Sequence, residues 1–187
     1  MKSPSSPETD NETTAEQKDH VHALLAKMSN VMFVTHAAAT TRPPFGARPL
    51  HVAKLEEDGD MWFVTGLDTQ VIGDLRSADG AFITAHEGSR WIHLSGRAEI
   101  VLDLVRTREL WSTALNVQFP AGAMDPNVVL IRFRPEHAEY WDTSGIKGIK
   151  YFFEAAKALA RGTTPAIVKG SHGEVGPIPL DGVAPAR

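Results

Sequence analysis

The amino-acid sequence predicts a mainly β protein, an antiparallel barrel with helical additions. Short apolar, β-branched runs recur between turn signals, as in barrels and sandwiches. The helical patterns do not alternate regularly with the strands, which disfavours a parallel doubly wound sheet. A length of 187 residues, of which 42% are hydrophobic, suits a single domain. The sequence also has no Gly-rich phosphate loop of the Rossmann or P-loop type.

The first elements are an arm and a helix. Residues 1–12 are rich in Ser, Pro and acidic residues, which predicts a disordered arm. Thr13 and Glu16 match a capping box at the start of a helix. The apolar stripe of this helix is Val21, Leu24, Leu25 and Met28. A β-branched run at 31–35 predicts the first strand, which a long loop follows.

A hairpin is predicted next. Strands at 48–55 and 61–65 flank Asp58-Gly59, a pair that favours a tight turn with positive φ angles. We therefore expect residues 48–50 to lie beside residues 62–65.

The second half of the chain continues the sheet. Val71, Ile72 and Leu75 predict a helical turn, and Asp103 is expected to cap a further helix. The predicted strands are 81–86, 91–102, 128–133, which Pro135 ends, and a short one at 138–141. These divisions give a barrel domain at 13–142, a C-terminal helix at 143–162 and a flexible tail at 163–187.

Composition and charge exclude several classes of function. The chain contains no Cys, so disulfides, thiolate catalysis and Cys-based zinc sites are absent. A net charge of −4 without a basic cluster disfavours nucleic acid as a partner. The N-terminus has no apolar run typical of a signal or an anchor, so we expect a cytoplasmic protein without a membrane partner. The histidines show no recognised ligand spacing, and no metal site is predicted.

The predicted hairpin carries the most specific set of polar side chains. Arg48 offers several donors to a phosphate, and the hydroxyls of Thr65 and Thr69 can add hydrogen bonds. Trp62 could stack on a planar ligand. These residues are equally compatible with an ordinary hairpin edge, and the spacing alone does not decide between the two interpretations.

Several strings in the sequence resemble the general stress protein branch of the pyridoxamine 5′-phosphate oxidase-like FMN-binding split barrels. They are Ala47-Arg48-Pro49-Leu50, Met61-Trp62-Phe63-Val64-Thr65, Leu94-Ser95-Gly96-Arg97-Ala98-Glu99 and Ala138-Glu139-Tyr140-Trp141-Asp142. The resemblance covers about residues 20–142 and implies a six-stranded antiparallel split β-barrel. It also implies a homodimer with FMN in clefts between the subunits.

The resemblance further implies which residues hold the flavin. Arg48 and Thr65 would bind the phosphate, and Thr69 would assist. The isoalloxazine would be lined by the two segments that contain Pro49, Leu50, Trp62, Phe63 and Val64. Trp91 and His93 would complete the site from the second subunit.

One departure from the family concerns charge. The family usually has a Lys where this chain has Val71, and loss of a charge-assisted hydrogen bond costs about 1.5 to 3 kcal/mol, so we expect weak FMN binding. If the helix presents position 71 to the phosphate, Val71→Lys should strengthen that binding. Arg42 and Arg76 are alternative cations, although ordinary solvated charge is the favoured interpretation of both.

Two classes of function remain open. The first is an FMN-dependent oxidoreductase of the general stress type, with unknown substrate and unknown catalytic residues. The second is a non-catalytic module that binds or stores FMN, a deazaflavin or another phosphorylated ligand, which the missing Lys favours. Pyridoxamine 5′-phosphate oxidase activity is less favoured, because Arg161 and His172 of the tail do not match that enzyme's substrate-binding segment.

Overall fold

The computed structural model describes residues 14–37, 44–142 and 172–175. In chain order the elements are α1 (Thr14–Leu25), β1 (Asn30–His36), β2 (Phe45–His51), β3 (Lys54–Leu55), β4 (Met61–Gly66), α2 (Gln70–Leu75), β5 (Gly80–Glu87), β6 (Arg90–Val101), α3 (Leu104–Glu109), 3-10 helices at Thr113–Val117 and Gly122–Met124, β7 (Val128–Asp142) and β8 (His172–Val175). The predicted arm at 1–12 and the predicted helix at 143–162 lie outside the described residues.

The strands form one antiparallel sheet, which confirms the predicted fold class. Its order is β2-β1-β5-β6-β7-β4-β3, and β8 adds to β7. The six longer strands are those expected of a split barrel, and the sheet is curled into a half-barrel. The short strand β8 lies within the predicted flexible tail, so four residues of that segment are part of the sheet.

The last long strand, β7, continues through Pro135, so the prediction that this proline ends the strand is wrong. Residues 61–66 of β4 pair with β7 as far as Phe133, and β8 begins its pairing at Ala138. Among the described strands, only β6 is therefore bonded to β7 at Pro135, where the register shifts between Ser95 and Gly96. A bulge of this kind tolerates a residue without an N–H donor.

The predicted turn at Asp58-Gly59 is present, but it joins different strands from those expected. Gly59 has a φ of 94°, and the hairpin pairs β3 with β4. β2 instead pairs with β1. The expectation that residues 48–50 lie beside residues 62–65 in one hairpin is therefore wrong, because Val52 and Ala53 separate β2 from the short strand β3.

The core lies between one face of the sheet and helices α1 and α2. Phe33, Phe63 and Phe133 meet edge to face at its centre, with no exposed surface. The apolar stripe predicted for the first helix, Val21 through Met28, is buried there. Full burial of each such side chain stabilises the fold by about 1.5 to 3 kcal/mol. This packing fixes both helices against the sheet.

The third helix, α3, is short and ends at Glu109. Asp103 caps α3 as expected, since its carboxylate accepts a hydrogen bond from the Arg106 N–H at 2.9 Å. The chain then continues as a 3-10 helix. Among the described residues, no helix has the length and apolar character needed to cross a bilayer.

Candidate functional site

Arg48 lies in a buried polar cluster that links β2, β1 and α2. Its Nη1 donates a hydrogen bond to Thr35 Oγ1 at 2.8 Å, and its Nη2 to Asp74 Oδ2 at 3.1 Å. Thr35 Oγ1 donates in turn to the same carboxylate oxygen at 2.8 Å. The Asp74 side chain is 1% exposed and that of Arg48 is 18% exposed. The guanidinium is thus fixed by an internal ion pair and reaches solvent along one edge.

Gly46 makes room for this arrangement. An ideal Cβ at position 46 would lie 2.3 Å from Arg48 Nη2, so the guanidinium occupies the space that a side chain would take. Residues 46 and 48 share one face of β2, because side chains alternate along a strand. The arginine therefore folds back over the glycine toward α2.

Thr65 and Thr69 lie close together at the end of β4. Their hydroxyl oxygens are 3.5 Å apart, and Thr69 Oγ1 donates to the Gly66 carbonyl at 2.7 Å. The hydroxyl proton of Thr69 is thus used in a hydrogen bond to the backbone. This hydroxyl can therefore only accept a hydrogen bond from a ligand. Thr65 is 4% exposed. The pair offers a phosphate fewer donors than the sequence suggested.

Val71 is 1% exposed and belongs to the main hydrophobic core. The expectation that Val71→Lys strengthens FMN binding depended on a helix face directed at the phosphate. The buried side of α2 carries position 71 instead, together with Ile72 and Leu75. A lysine here would place its stem among apolar side chains.

The remaining predicted site residues are divided between the two faces of the sheet. Leu50 and Phe63 lie on the face that carries Arg48 and packs against the core. Pro49, Trp91 and His93 lie on the opposite face, because they alternate with residues of that core-facing set. One chain thus does not bring all the predicted residues to a single cleft.

The opposite face carries six rings, which we call the aromatic face: the exposed His36, Phe45, His86 and Trp91 and the half-buried Phe82 and His93. Ring centroids along the row from His36 to His93 are 5.4 to 5.9 Å apart. Phe45 is 55% exposed and Trp91 is 52% exposed. Apolar rings exposed on a protein surface, such as Phe45 and Trp91 here, are typical of interaction surfaces.

Trp62 has a different environment from the one predicted. Its ring is 4.7 Å from the Arg106 guanidinium and 5.5 Å from that of Arg132, and it packs with Leu110 and Val64 beneath α3. Arg132 also pairs with Asp60, which is 5% exposed. Burial raises the pKa of the Asp60 carboxyl above its usual 3.8, and Arg132 opposes this only in part. Trp62 therefore helps to hold α3 on the sheet.

The family model described as "Pyridoxamine 5′-phosphate oxidase like" matches residues 16–166. The chain belongs to this family. No curated protein matches its sequence.

Solved structures of the pyridoxamine 5′-phosphate oxidase-like family share this fold. A putative general stress protein 26 from Jannaschia sp. CCS1 is 22% identical, with a TM-score of 0.64 over 87% of this chain and 99% of that one. The general stress FMN/FAD binding protein of Xanthomonas citri is 24% identical, with a TM-score of 0.56 over 69% of this chain and 89% of that one. A Clostridium acetobutylicum protein related to general stress protein 26 is 18% identical, with a TM-score of 0.58 over 66% and 87% of the two chains.

The three side chains predicted to bind the phosphate, those of Arg48, Thr65 and Thr69, fit the phosphate of a flavin nucleotide only in part. A cation and two hydroxyls are present, but the cation is paired with Asp74 and one hydroxyl proton is used internally. The sequence pointed to Arg48, Thr65 and Thr69 as candidates and did not point to Thr35, Gly46 and Asp74. Those three have no motif spacing of their own, and only the pairing of β1 with β2 and the docking of α2 bring them together.

Proposed function

We propose that this chain is a homodimeric FMN-binding protein of the general stress type, in which the flavin lies between subunits and supports an oxidoreductase reaction. The observation that carries the proposal is the aromatic face, which lies across the sheet from Arg48. Membership in the pyridoxamine 5′-phosphate oxidase-like family and the Xanthomonas citri FMN/FAD binding protein support the choice of cofactor.

A second copy of the chain is the partner that the aromatic face fits. Its exposed Phe45 and Trp91 rings are apolar and flat, and buried aromatic side chains dominate the energetics of protein interfaces. In a dimer formed through this face, Trp91 and His93 would meet residues of the other subunit rather than their own Arg48.

Each subunit would then contribute two parts of the site. Arg48 and Thr65 would hold the phosphate end, with Thr69 beside Thr65, and the backbone of residues 48–50 and 62–65 would face the ring system. Trp91 and His93 of the partner would exclude water from the ring. When bound, the flavin would supply the electron transfer, and the protein's part is to bind and orient it.

The first experiment tests dimer formation and flavin binding directly. The purified chain is examined by light scattering and by its visible spectrum, then titrated with FMN and riboflavin. We expect a dimer that binds flavin and shows flavin absorbance. A monomer at micromolar concentration that binds neither ligand would refute the proposal.

A matched pair of substitutions tests the interface. Phe45→Asp places a charge on the aromatic face, whereas Val117→Asp places one at a residue that is 91% exposed in a 3-10 helix. We expect Phe45→Asp to dissociate the dimer and abolish flavin binding, because a buried unpaired carboxylate costs several kcal/mol. Val117→Asp should leave both unchanged. Equal behaviour of the two variants would move the interface elsewhere.

A non-catalytic flavin-binding or storage role is the second candidate, favoured by the apolar residue at position 71. The two roles differ in redox behaviour. Reduction of bound flavin by NADH or NADPH, followed by reoxidation, supports an enzyme. A flavin-loaded dimer that remains oxidised with both donors supports storage.

A further inference from the structure

Met124 is the most exposed of the methionines that the structure describes. It is 62% exposed and Met32 is 40% exposed, whereas Met28 and Met61 belong to the core. A thioether that meets solvent is open to two-electron oxidation to the sulfoxide, which reductases reverse. The surroundings of the Met124 sulfur decide whether it is more than an exposed side chain.

A guanidinium lies directly against this sulfur. Arg108 Nη2 donates a hydrogen bond to Met124 Sδ at 2.7 Å. Arg108 is in the last turn of α3, and Met124 is the last residue of the second 3-10 helix, Gly122–Met124. The contact therefore links two elements that lie against the same part of the sheet surface.

The acceptor that Arg108 meets is weak for its charge. A thioether sulfur accepts hydrogen bonds poorly, whereas a guanidinium is permanently charged and donates strongly to polar oxygens. The neighbouring Arg106 pairs with Glu56 and Glu109. Within the described part of the chain Arg108 has no carboxylate partner, and the sulfur of Met124 is the acceptor that it contacts. An oxygen bonded to this sulfur would give the guanidinium a stronger partner.

The backbone holds Met124 in place independently of its side chain. The Gly122 N–H donates to the Phe119 carbonyl at 2.9 Å, and the Asp125 N–H donates to the Gly122 carbonyl at 3.0 Å. Phe119 is 3% exposed and anchors this turn. Oxidation of Met124 would thus add a polar atom at the surface, whereas oxidation of Met61 would add one inside the core.

We propose that Met124 is a reversible oxidation site whose sulfoxide is held against α3 by Arg108. The oxidant is a small hydroperoxide. A lone pair of the sulfur forms the S–O bond as the O–O bond breaks, and the proton of the transferred oxygen moves to the departing oxygen. The sulfur is oxidised by two electrons, and the hydroperoxide is reduced to water or an alcohol. This inference goes beyond the proposed flavin binding and does not depend on it.

The sulfoxide changes the link between the two elements. Its oxygen accepts a charge-assisted hydrogen bond from Arg108, in place of the weak bond to sulfur. We therefore expect oxidation of Met124 to stabilise the fold slightly, which is opposite to the usual effect of methionine oxidation in a core.

The test treats the folded wild-type chain and three variants with dilute hydrogen peroxide. Met124→Leu removes the sulfur, and Arg108→Ala removes the guanidinium. Arg76→Ala is the matched control, because Arg76 is also an exposed arginine at a helix end, but it has no described contact with a methionine. Mass spectrometry of tryptic peptides measures the sulfoxide at each methionine. Circular dichroism gives Tm before and after oxidation, and that of the untreated variants shows that they are folded.

In the wild type we expect Met124 to be oxidised at least about twice as fast as Met32, because susceptibility follows exposure. Tm should then rise by about 2 °C in the wild type and in Arg76→Ala, and by nothing in Arg108→Ala or Met124→Leu. Treatment with methionine sulfoxide reductases should return the wild-type Tm to its starting value.

Two kinds of result would overturn the proposal. Slower oxidation at Met124 than at Met32 would show that Met124 is not the preferred site, and this comparison needs no variant. An unchanged or lower Tm in the oxidised wild type, or an equal rise in Arg108→Ala, would show that Arg108 does not hold the sulfoxide.

Discussion

Gly96 in β6 is expected to be intolerant of any side chain, and Gly96→Ala is the sharpest test of the described sheet. An ideal Cβ at this position would lie 2.0 Å from the Arg134 carbonyl oxygen and 2.9 Å from the Pro135 Cα. Ordinary contacts between such atoms are about 3.5 Å. The clashing atoms belong to the backbone and cannot rotate away, so β6 and β7 would have to separate by roughly 1 Å or more.

The magnitude follows from this geometry. Overpacking a rigid contact costs about 1 to 3 kcal/mol. The strand separation would also weaken adjacent ladder hydrogen bonds, each of which contributes about 0.5 to 1.5 kcal/mol. We therefore expect a loss of about 3 kcal/mol of unfolding free energy. For a chain of this size that lowers Tm by about 6 to 12 °C.

Thermal and urea unfolding, followed by circular dichroism, measure the effect. Gly80→Ala is the matched control in neighbouring β5, since no heavy atom lies within 4 Å of its ideal Cβ. That variant should unfold within about 2 °C of the wild type. If Gly96→Ala also unfolds within about 2 °C of the wild type, the close contact between Gly96 and the backbone of Arg134 and Pro135 is refuted. The uninterrupted course of β7 through the bulge is then refuted as well.

Three further predictions concern charged positions. Val71→Lys should lower the free energy of unfolding by about 3 kcal/mol, because an ammonium enters the core. Gln70→Lys, on the exposed side of α2, should be neutral in the same denaturation experiment. A stable Val71→Lys variant that binds FMN more tightly would contradict this prediction. Burial raises the pKa of Asp60, so the folded state holds its proton to higher pH than the unfolded chain, and its contribution to stability is lost as pH rises above about 4. Asp60→Asn should flatten that part of the profile of Tm against pH, and a profile of unchanged slope would show that another group is responsible. Arg106→Ala should lower the free energy of unfolding by about 1 to 2 kcal/mol, because the stacking of the Arg106 guanidinium on Trp62 is lost. A variant that is as stable as the wild type in urea would show that this stacking contributes nothing.

Sequence patterns predicted the fold better than they predicted the site. Buried stripes at helical spacing in α1 and α2 and β-branched runs in β1 and β4 are local signals, and the structure confirms them. β7 can continue through Pro135 because, among the described strands, only β6 pairs with it there. The number of neighbouring strands at one residue cannot be predicted from a local sequence pattern. The cluster around Arg48 depends on Thr35 and Asp74, which are 39 residues apart in sequence. Their contact follows from tertiary packing alone.

The placement of β7 also constrains how the chain folds during synthesis. β4 ends at Gly66, yet its long partner begins only at Val128, so residues 67–127 must leave the ribosome before the two can pair. The edge of β6 that pairs with β7 likewise stays unpaired until β7 has been synthesised. Closing so long a loop delays native contacts and lengthens the time for which apolar strand edges are exposed. The nascent chain is thus most prone to aggregation shortly before its last long strand emerges, and this is the stage at which a chaperone would protect it most effectively.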